Sequence, residues 1–483
     1  MYTRTCGLDR EPEFPPLDAF FFFWYHLPTS HQHIGTCTVA FTKTGGPQPA
    51  WTREDKTVMH FPNLKTANTG GARVATRPLG RWALAIVALI MTAALFAPSL
   101  AVAQDKTPEK PKVSFYGFLR VDAIWDDSKM QNHQYAMWVL PEDPAVGLAN
   151  NSHFTIHPRV TRFGLNVNPV DLSEKVKASG KIEIDFQAGG TESRAGLRMR
   201  HAYFELKWGD FAFLGGQTWQ LISPMYPEVH TDGVLWNAGN LGDRAPQVRL
   251  TYAPKAGKGT VTAAVALGAT GAVDALDLDK NTLLDGASSA LPNVQGRLAL
   301  EQTLYAERPL KVGVWGHYAQ EETDKPFAGE TRWDSWSAGF ELSIPLHKRI
   351  WIEGEGWRGS NLSDVRGGAG QGVNVLTGKE IDAVGGWVQL ATKPTDKTQL
   401  YIGASADDPE DEDVLSYEEV DAADLDPVLY TGRTLNWVGF VSARYRVWQP
   451  FQVAVEYYHW VTEYKGLESG IDNRIDMHFS YFF

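Results

Sequence analysis

The chain has 483 residues, 43% of them hydrophobic and 21% charged, with a formal net charge of −12. That length suits two or three ordinary domains or one large single-sheet architecture, and the acidic balance argues against a nucleic-acid partner. Its two cysteines, Cys6 and Cys37, both lie near the start, so the rest of the chain is excluded from disulfides, thiolate catalysis and cysteine-ligated metals.

From Arg77 to Gln104 two arginines, an apolar run from Trp82 to Ala97 and Ala101-Val102-Ala103 make the three-part plan of a secretory signal peptide, 77–103, cleaved after Ala103. Residues 1–76 show no sustained periodicity, and a start codon placed too far upstream is the expected reading, with no fold for this segment. The alternative is a cytoplasmic extension ahead of a signal anchor. Residues 1–103 hold 9 of the 45 Lys+Arg and 6 of the 57 Asp+Glu, which leaves the exported remainder more acidic than the whole chain.

After Gln104 no run of about 18 apolar residues occurs, so a membrane-spanning helix is not expected; barrel strands need only 9 to 11 residues, apolar at alternate positions. After a short periplasmic segment, 104–112, that pattern begins. In Val113 to Trp125, Phe115, Leu119, Val121, Ala123 and Trp125 share one face, with Tyr116, Arg120 and Asp122 on the other. Ile182, Ile184 and Phe186 alternate with Glu183, Asp185 and Gln187, and Ile475, Met477, Phe479, Tyr481 and Phe483 alternate with Arg474, Asp476, His478 and Ser480.

Period-2 segments fall at 113–126, 155–168, 175–188, 197–208, 211–220, 246–254, 259–270, 291–304, 310–321, 332–345, 349–360, 381–393, 398–407, 433–448, 451–464 and 473–483, sixteen in all. Short connections such as 209–210, 255–258 and 449–450 alternate with long ones, notably 127–154, 221–245, 271–290, 361–380 and 408–432. Short turns on one side and long loops on the other predict an all-β fold, a sixteen-stranded antiparallel transmembrane β-barrel over 113–483 with both termini in the periplasm. A soluble β-sandwich is the rival. Trp208, Phe211, Trp351, Trp448, Phe451 and Trp460 near segment ends favour the barrel, as interfacial aromatic girdles. Sixteen strands leave an aqueous channel, and strands begin too early for a plug domain to precede them.

If the greasy positions face lipid, Arg120, Arg162, Arg249, Arg297, Arg444, Arg446 and Arg474 face the channel, where fixed cations concentrate anions and hold carboxylates. Asp122, Glu183, Asp185, Glu301 and Glu456 share that side, so mutual neutralisation across the wall is an equal reading. Arg198 and Arg200 have the wrong parity against Ala202, Phe204, Leu206 and Trp208: either they sit above the membrane or a bulge resets the register before Ala202. Loop 221–245 can fold inward as a constriction, with Glu228, His230, Asp232, Asp243 and Arg244 as its polar residues, or pack over the mouth.

Eleven carboxylates between Asp407 and Asp426 read as a solvated run, with bridging of divalent cations to lipopolysaccharide the alternative. Asp277, Asp279 and Asn281 have calcium-loop spacing without the glycine and distal glutamate that such a loop requires. The glycine run 367–372 lacks the Lys-Ser/Thr of a phosphate loop; no HExxH or GxSxG follows Gln104, and His201 and His459 read as wall residues. No catalytic group, cofactor or metal is expected.

Arg200 to Tyr203 (RHAY), Gly216 to Trp219 (GQTW) and, across the long loop, Pro246 to Arg249 (PQVR) make the chain resemble the DcaP-like trimeric outer-membrane porins. The opening FYGFLRVDAIWD and Arg162-Phe163-Gly164 are similar to that family's first strands. The resemblance implies a homotrimer passing small organic anions such as dicarboxylates, selected by constriction arginines. Two departures are the acidic Glu228, Asp232 and Asp243 in the loop and an N-terminal helical extension expected to be missing or reduced to Gln104 to Lys112. The expected function is therefore a diffusion porin of a Gram-negative-type outer membrane, surrounded by lipid and lipopolysaccharide. Arg120, Arg162, Arg200, Arg249, Arg297 and Arg444 would line the anion path. A barrel enzyme of protease or lipase type and a structural envelope barrel are the alternatives.

Overall fold

A computed structural model describes residues 111–146, 151–305 and 308–483. The upstream segment 1–76, the signal peptide 77–103 and most of 104–112 lie outside the described residues. Sixteen long strands are seen: β1 Val113–Asp126, β2 in two pieces, His153–His157 and Arg162–Asp171, β3 Lys177–Asp185, β4 Arg198–Trp208, β5 Phe211–Trp219, β6 Arg244–Tyr252, β7 Gly259–Gly268 and β8 Asn293–Tyr305. The second half comprises β9 Arg308–Phe327, β10 Glu330–His347, β11 Ile350–Ser360, β12 Asp382–Thr392, β13 Thr398–Pro409, β14 Arg433–Trp448, β15 Phe451–Tyr464 and β16 Leu467–Phe482. Each pairs antiparallel with its chain neighbour, and β16 closes on β1 from Phe118↔Phe482 to Trp125↔Ile475. No helix among the described residues is long and apolar enough to cross a membrane. The strands do the crossing.

Alternation sets which face each strand turns inward. In β16, Ile475, Met477, Phe479 and Tyr481 are exposed on the outer face while Arg474, Asp476, His478 and Ser480 are buried inside. A one-residue slip would invert both sets, and an arginine at the lipid midplane costs about 2–4 kcal/mol. The register is therefore fixed by every strand at once. β2 is interrupted at Pro158, which has no N–H for the ladder; beside it the buried Arg159 donates to the carbonyls of Gly189 and Gly190 at 2.8 and 2.7 Å.

Two hairpins extend past the greasy pattern. β9 and β10 pair through Glu322↔Arg332 and, past a register shift, at Phe327↔Glu330, turning at Ala328-Gly329, although periodicity ends at 321 and resumes at 332; β16 begins at Leu467 and not at 473. Backbone ladder bonds continue where side chains no longer meet lipid, so the alternation is lost and the strand is not. The girdle reading holds on the short-turn side, where Trp208 and Phe211 stack at 5.9 Å, Phe211 and Tyr252 at 4.6 Å, and Trp448 and Phe451 lie 6.2 Å apart. Trp351 and Trp460 correct it. Both are buried, because each has the parity of the inward residues of its strand; Trp460 donates to Asn436 Oδ1 at 2.7 Å.

The acidic loop after β13 is partly folded, with helix α2 Tyr417–Ala422, begun by a Ser416/Glu419 capping box, and α3 Pro427–Tyr430; the short helix α1, Asp285–Ser288, lies in an earlier loop. Asp407 and Asp413 are buried, Asp413 in contact with Lys379, and the other nine carboxylates are exposed as a solvated run requires. Asp277 accepts from the backbone N–H groups of Asn281 and Thr282, and Asp279 from those of Asp324 and Lys325, so these carboxylates order their own loop.

The loops before β8 and after β11 meet at Asp364, whose carboxylate accepts from Gly271 N–H and Val273 N–H, both at 2.8 Å. Burial, with Asp274 close by, pushes Asp364 up to about 7. Its folded value lies above its unfolded value, so the docked state binds more protons and this junction is stabilised as pH falls from about 7 towards the ordinary carboxylate range. Amide exchange at Gly271 and Val273, corrected for intrinsic rate, is expected to slow between pH 8 and about 5. Protection that is flat or falls over this window would contradict the assignment.

Candidate functional site

The segment between β5 and β6, residues 220–243, folds into the barrel; the sequence range ended two residues later because Arg244 and Ala245 already belong to β6. It is held by inward-facing wall groups. Leu221 N–H donates to Gln295 Oε1 at 2.7 Å, Met225 N–H to Glu355 at 3.0 Å, Glu228 N–H to Gln389 at 2.9 Å and His230 N–H to Glu456 at 2.8 Å. Trp357 Nε1 donates to Gly239 O at 2.7 Å and Asn436 to Asn237 O at 2.6 Å. Val234, Leu235 and Asn237 take φ of 41°, 62° and 60°, a conformation costly for a β-branched valine and persistent only where surroundings over-determine it. The loop thus packs against the inward face of the wall.

The loop also dries part of the lumen. Val229, Leu235 and Ala238 pack with Met130, Ala136 and Val139 of the first loop against Val438, Phe440, Tyr458 and Trp460 of the wall. Loop 361–381 adds Leu362 and Val365 beside Ile222, Leu241, Trp315 and Trp357. The inserted loop is thus joined in the lumen by the first loop and by loop 361–381. A cavity of about 550 Å³ remains beside the loop, lined by Arg162, Lys181, Glu183, Arg200 and Glu228 among others.

From this cavity's wall a network of four cations and three carboxylates extends to the loop. Glu183 faces Arg200 Nε at 2.9 Å, Lys181 Nζ at 3.4 Å and Arg162 Nε at 3.5 Å. Arg200 also reaches Asp185 at 2.8 Å and the loop's Asp232 at 3.3 Å, while Arg198 donates to Asp185 and Asp232 at 2.6 Å each. The parity conflict at Arg198 and Arg200 is resolved by a bulge. Glu183 pairs with His201 and Ile184 with Met199, so Arg200 is the extra residue, and Arg200 and His201 are both buried.

Most other arginines are paired. Arg120 donates to Asp122 at 2.7 Å and to the carbonyl of His230 at 2.8 Å, so it fastens the loop. Arg297 holds Glu341 with two bonds of 2.9 and 2.5 Å, Arg444 holds Glu228 at 2.8 Å, and Arg474 holds Asp126 at 3.1 Å. Asp243 takes Arg244 at 3.3 Å and Arg366 at 3.0 Å, with both guanidiniums over Trp236. Arg446 is exposed at the turn side. Arg249 differs: its partners are Gln247 Oε1, at 3.1 and 2.7 Å, and the Trp219 carbonyl, with no carboxylate.

Sequence reasoning passed over Lys181, although it shares the inward parity of Glu183, and over Lys311, paired to Glu301 at 3.3 Å. It also had no means of bringing His230 to His478, whose rings lie 3.8 Å apart. Parity marks a face but not a height along the barrel.

No protein-family model matches the chain, and no curated protein matches it by sequence. Solved structures do. The outer membrane channel DcaP of Acinetobacter baumannii superposes with a TM-score of 0.59 at 18% identity, over 77% of this chain and 97% of that one. OmpF of Salmonella typhi, in complex with daunomycin, gives 0.50 at 11% identity, over 77% and 98%. At such identities the likeness is one of fold, and it agrees with the motif resemblance at residues 197–252. The chain has the closed sixteen-stranded fold of outer-membrane porins, similar to that of the DcaP channel.

Proposed function

We propose that the chain is a passive diffusion porin of a Gram-negative-type outer membrane, belonging with the DcaP-like porins and assembling as a homotrimer amid lipid and lipopolysaccharide. It catalyses no reaction. Its solutes are small and hydrophilic, with a preference for organic anions such as dicarboxylates. The observation that carries the preference is the cavity lining, where the four cations Arg162, Lys181, Arg200 and Lys311 outnumber the three carboxylates Glu183, Glu228 and Glu353, with Arg249, which holds no carboxylate, in the chain's inward set. A low-dielectric passage amplifies such an excess, and binding weak enough to permit exit turns it into flux.

The test is planar-bilayer conductance of the purified protein with reversal potential read in a KCl gradient. Stepwise triple openings with chloride preference, reduced in Arg249→Ala and lost in Arg162→Ala/Arg249→Ala, are expected. Channels whose preference the double variant leaves unchanged would remove the anion reading, and folded trimers that form no channels would remove the porin reading.

A further inference from the structure

The inserted loop meets the wall at a cluster that the transport reading does not use. His230 of the loop, Glu456 of β15 and His478 of β16 each offer one ligand atom, and the three atoms lie within 4.8 Å of one another. His230 Nδ1 is 2.9 Å from Glu456 Oε1, and the two imidazole rings are tilted by 49° with centroids 3.8 Å apart. His478 is wholly buried, and neither of its ring nitrogens has a hydrogen-bond partner. A buried side chain orphaned in this way is destabilising and calls for an explanation.

The surroundings are those of a metal's outer shell. His478 Nδ1 lies 3.7 Å from Asp476 Oδ1 and 4.0 Å from Asp122 Oδ1, too far for hydrogen bonds but close enough to hold the ring once it is drawn in. Asp122 Oδ2 and Asp476 Oδ1 are themselves buried without partners. The nearby cations are already engaged: Arg120 on Asp122 and the His230 carbonyl, Arg444 on Glu228. With Asp122 held by Arg120, Glu456 and Asp476 remain to offset a dication.

We propose that His230, Glu456 and His478 bind a divalent first-row transition cation of the Zn²⁺ type, which staples the inserted loop to β15 and β16. Two imidazoles and one carboxylate are the donor set that such ions take, whereas hard cations prefer all-oxygen cages. Bonds of about 2.0–2.2 Å bring ligand atoms roughly 3.3 Å apart, so side-chain rotations of about an ångström close the site and leave a fourth position open. Asp476 then orients His478 through its other nitrogen, as outer-shell carboxylates do. The site is independent of which solute the pore passes.

The experiment uses the full-length protein, purified from membranes without a histidine tag, stripped with a chelator and titrated with Zn²⁺. One zinc per chain is expected by mass spectrometry, with amide exchange of residues 228–232 slowed by zinc. His230→Ala leaves the strand ladder intact and is expected to weaken binding at least about 10-fold and to abolish the exchange effect. Glu456→Gln, with folding checked by heat-modifiable mobility, should lose zinc as well; should it not fold, His230→Ala decides alone. Substoichiometric zinc in the wild type, or full zinc with unchanged affinity in His230→Ala, overturns the proposal.

Discussion

Arg200→Ala is expected to destabilise the barrel by about 3–5 kcal/mol, the cost of removing one partner from a buried ionic network. Arg200 serves Glu183, Asp185 and Asp232, all buried, and it occupies a bulge that no ladder bond compensates. Arg198 stays on Asp185 and Asp232, but Glu183 is left to the Tyr116 hydroxyl at 2.7 Å and the longer contacts of Arg162 and Lys181. Denaturant titration of the detergent-solubilised protein measures the change. Arg200→Lys should recover only part of it, since an ammonium cannot reproduce the fork that spans two strands and a loop. Loosening of Asp232 should also appear as noisier single-channel current. A loss within about 0.5 kcal/mol, the range of an ordinary surface substitution, would show that the neighbouring cations carry the network unaided.

What the sequence made legible follows from which forces act locally. Strand alternation is written residue by residue, because each outward side chain meets lipid on its own, and β1, β14 and β15 begin and end where periodicity places them. The ends of β9, β10 and β16 were hidden, since above the membrane only the backbone ladder persists. The parity conflict at Arg198 and Arg200 was visible as an irregularity, and a bulge was one of its two solutions. Which arginine pairs with which carboxylate was not visible, because Arg444 finds Glu228 and Arg120 finds the His230 carbonyl only after the loop enters the lumen. The same holds for His230 and His478, which come together from a loop and the last strand. Long-range juxtaposition inside a barrel is a property of closure and loop insertion, and neither leaves a periodic trace.

Gly239→Val is expected to unseat the inserted loop and raise single-channel conductance while leaving the sixteen-stranded wall intact. Gly239 has φ of 114°, a region that L side chains rarely adopt, and a Cβ there would meet Gly386 O at 2.3 Å, Ser405 Oγ at 2.5 Å and Ala406 O at 2.6 Å. Two of these atoms are wall backbone and cannot yield without breaking the β12–β13 ladder, so the loop must lift. The backbone strain costs about 1–3 kcal/mol. Withdrawal of the Gly239 carbonyl also orphans the buried Trp357 Nε1, at about 1–3 kcal/mol more, and frees Ala238 from Ser405. Because residues 220–243 contribute no wall strand, heat-modifiable mobility of the barrel should persist although the pore is wider. Bilayer recordings separate the outcomes. A variant that keeps wild-type conductance would mean that the loop accommodates the side chain in place and does not set the aperture.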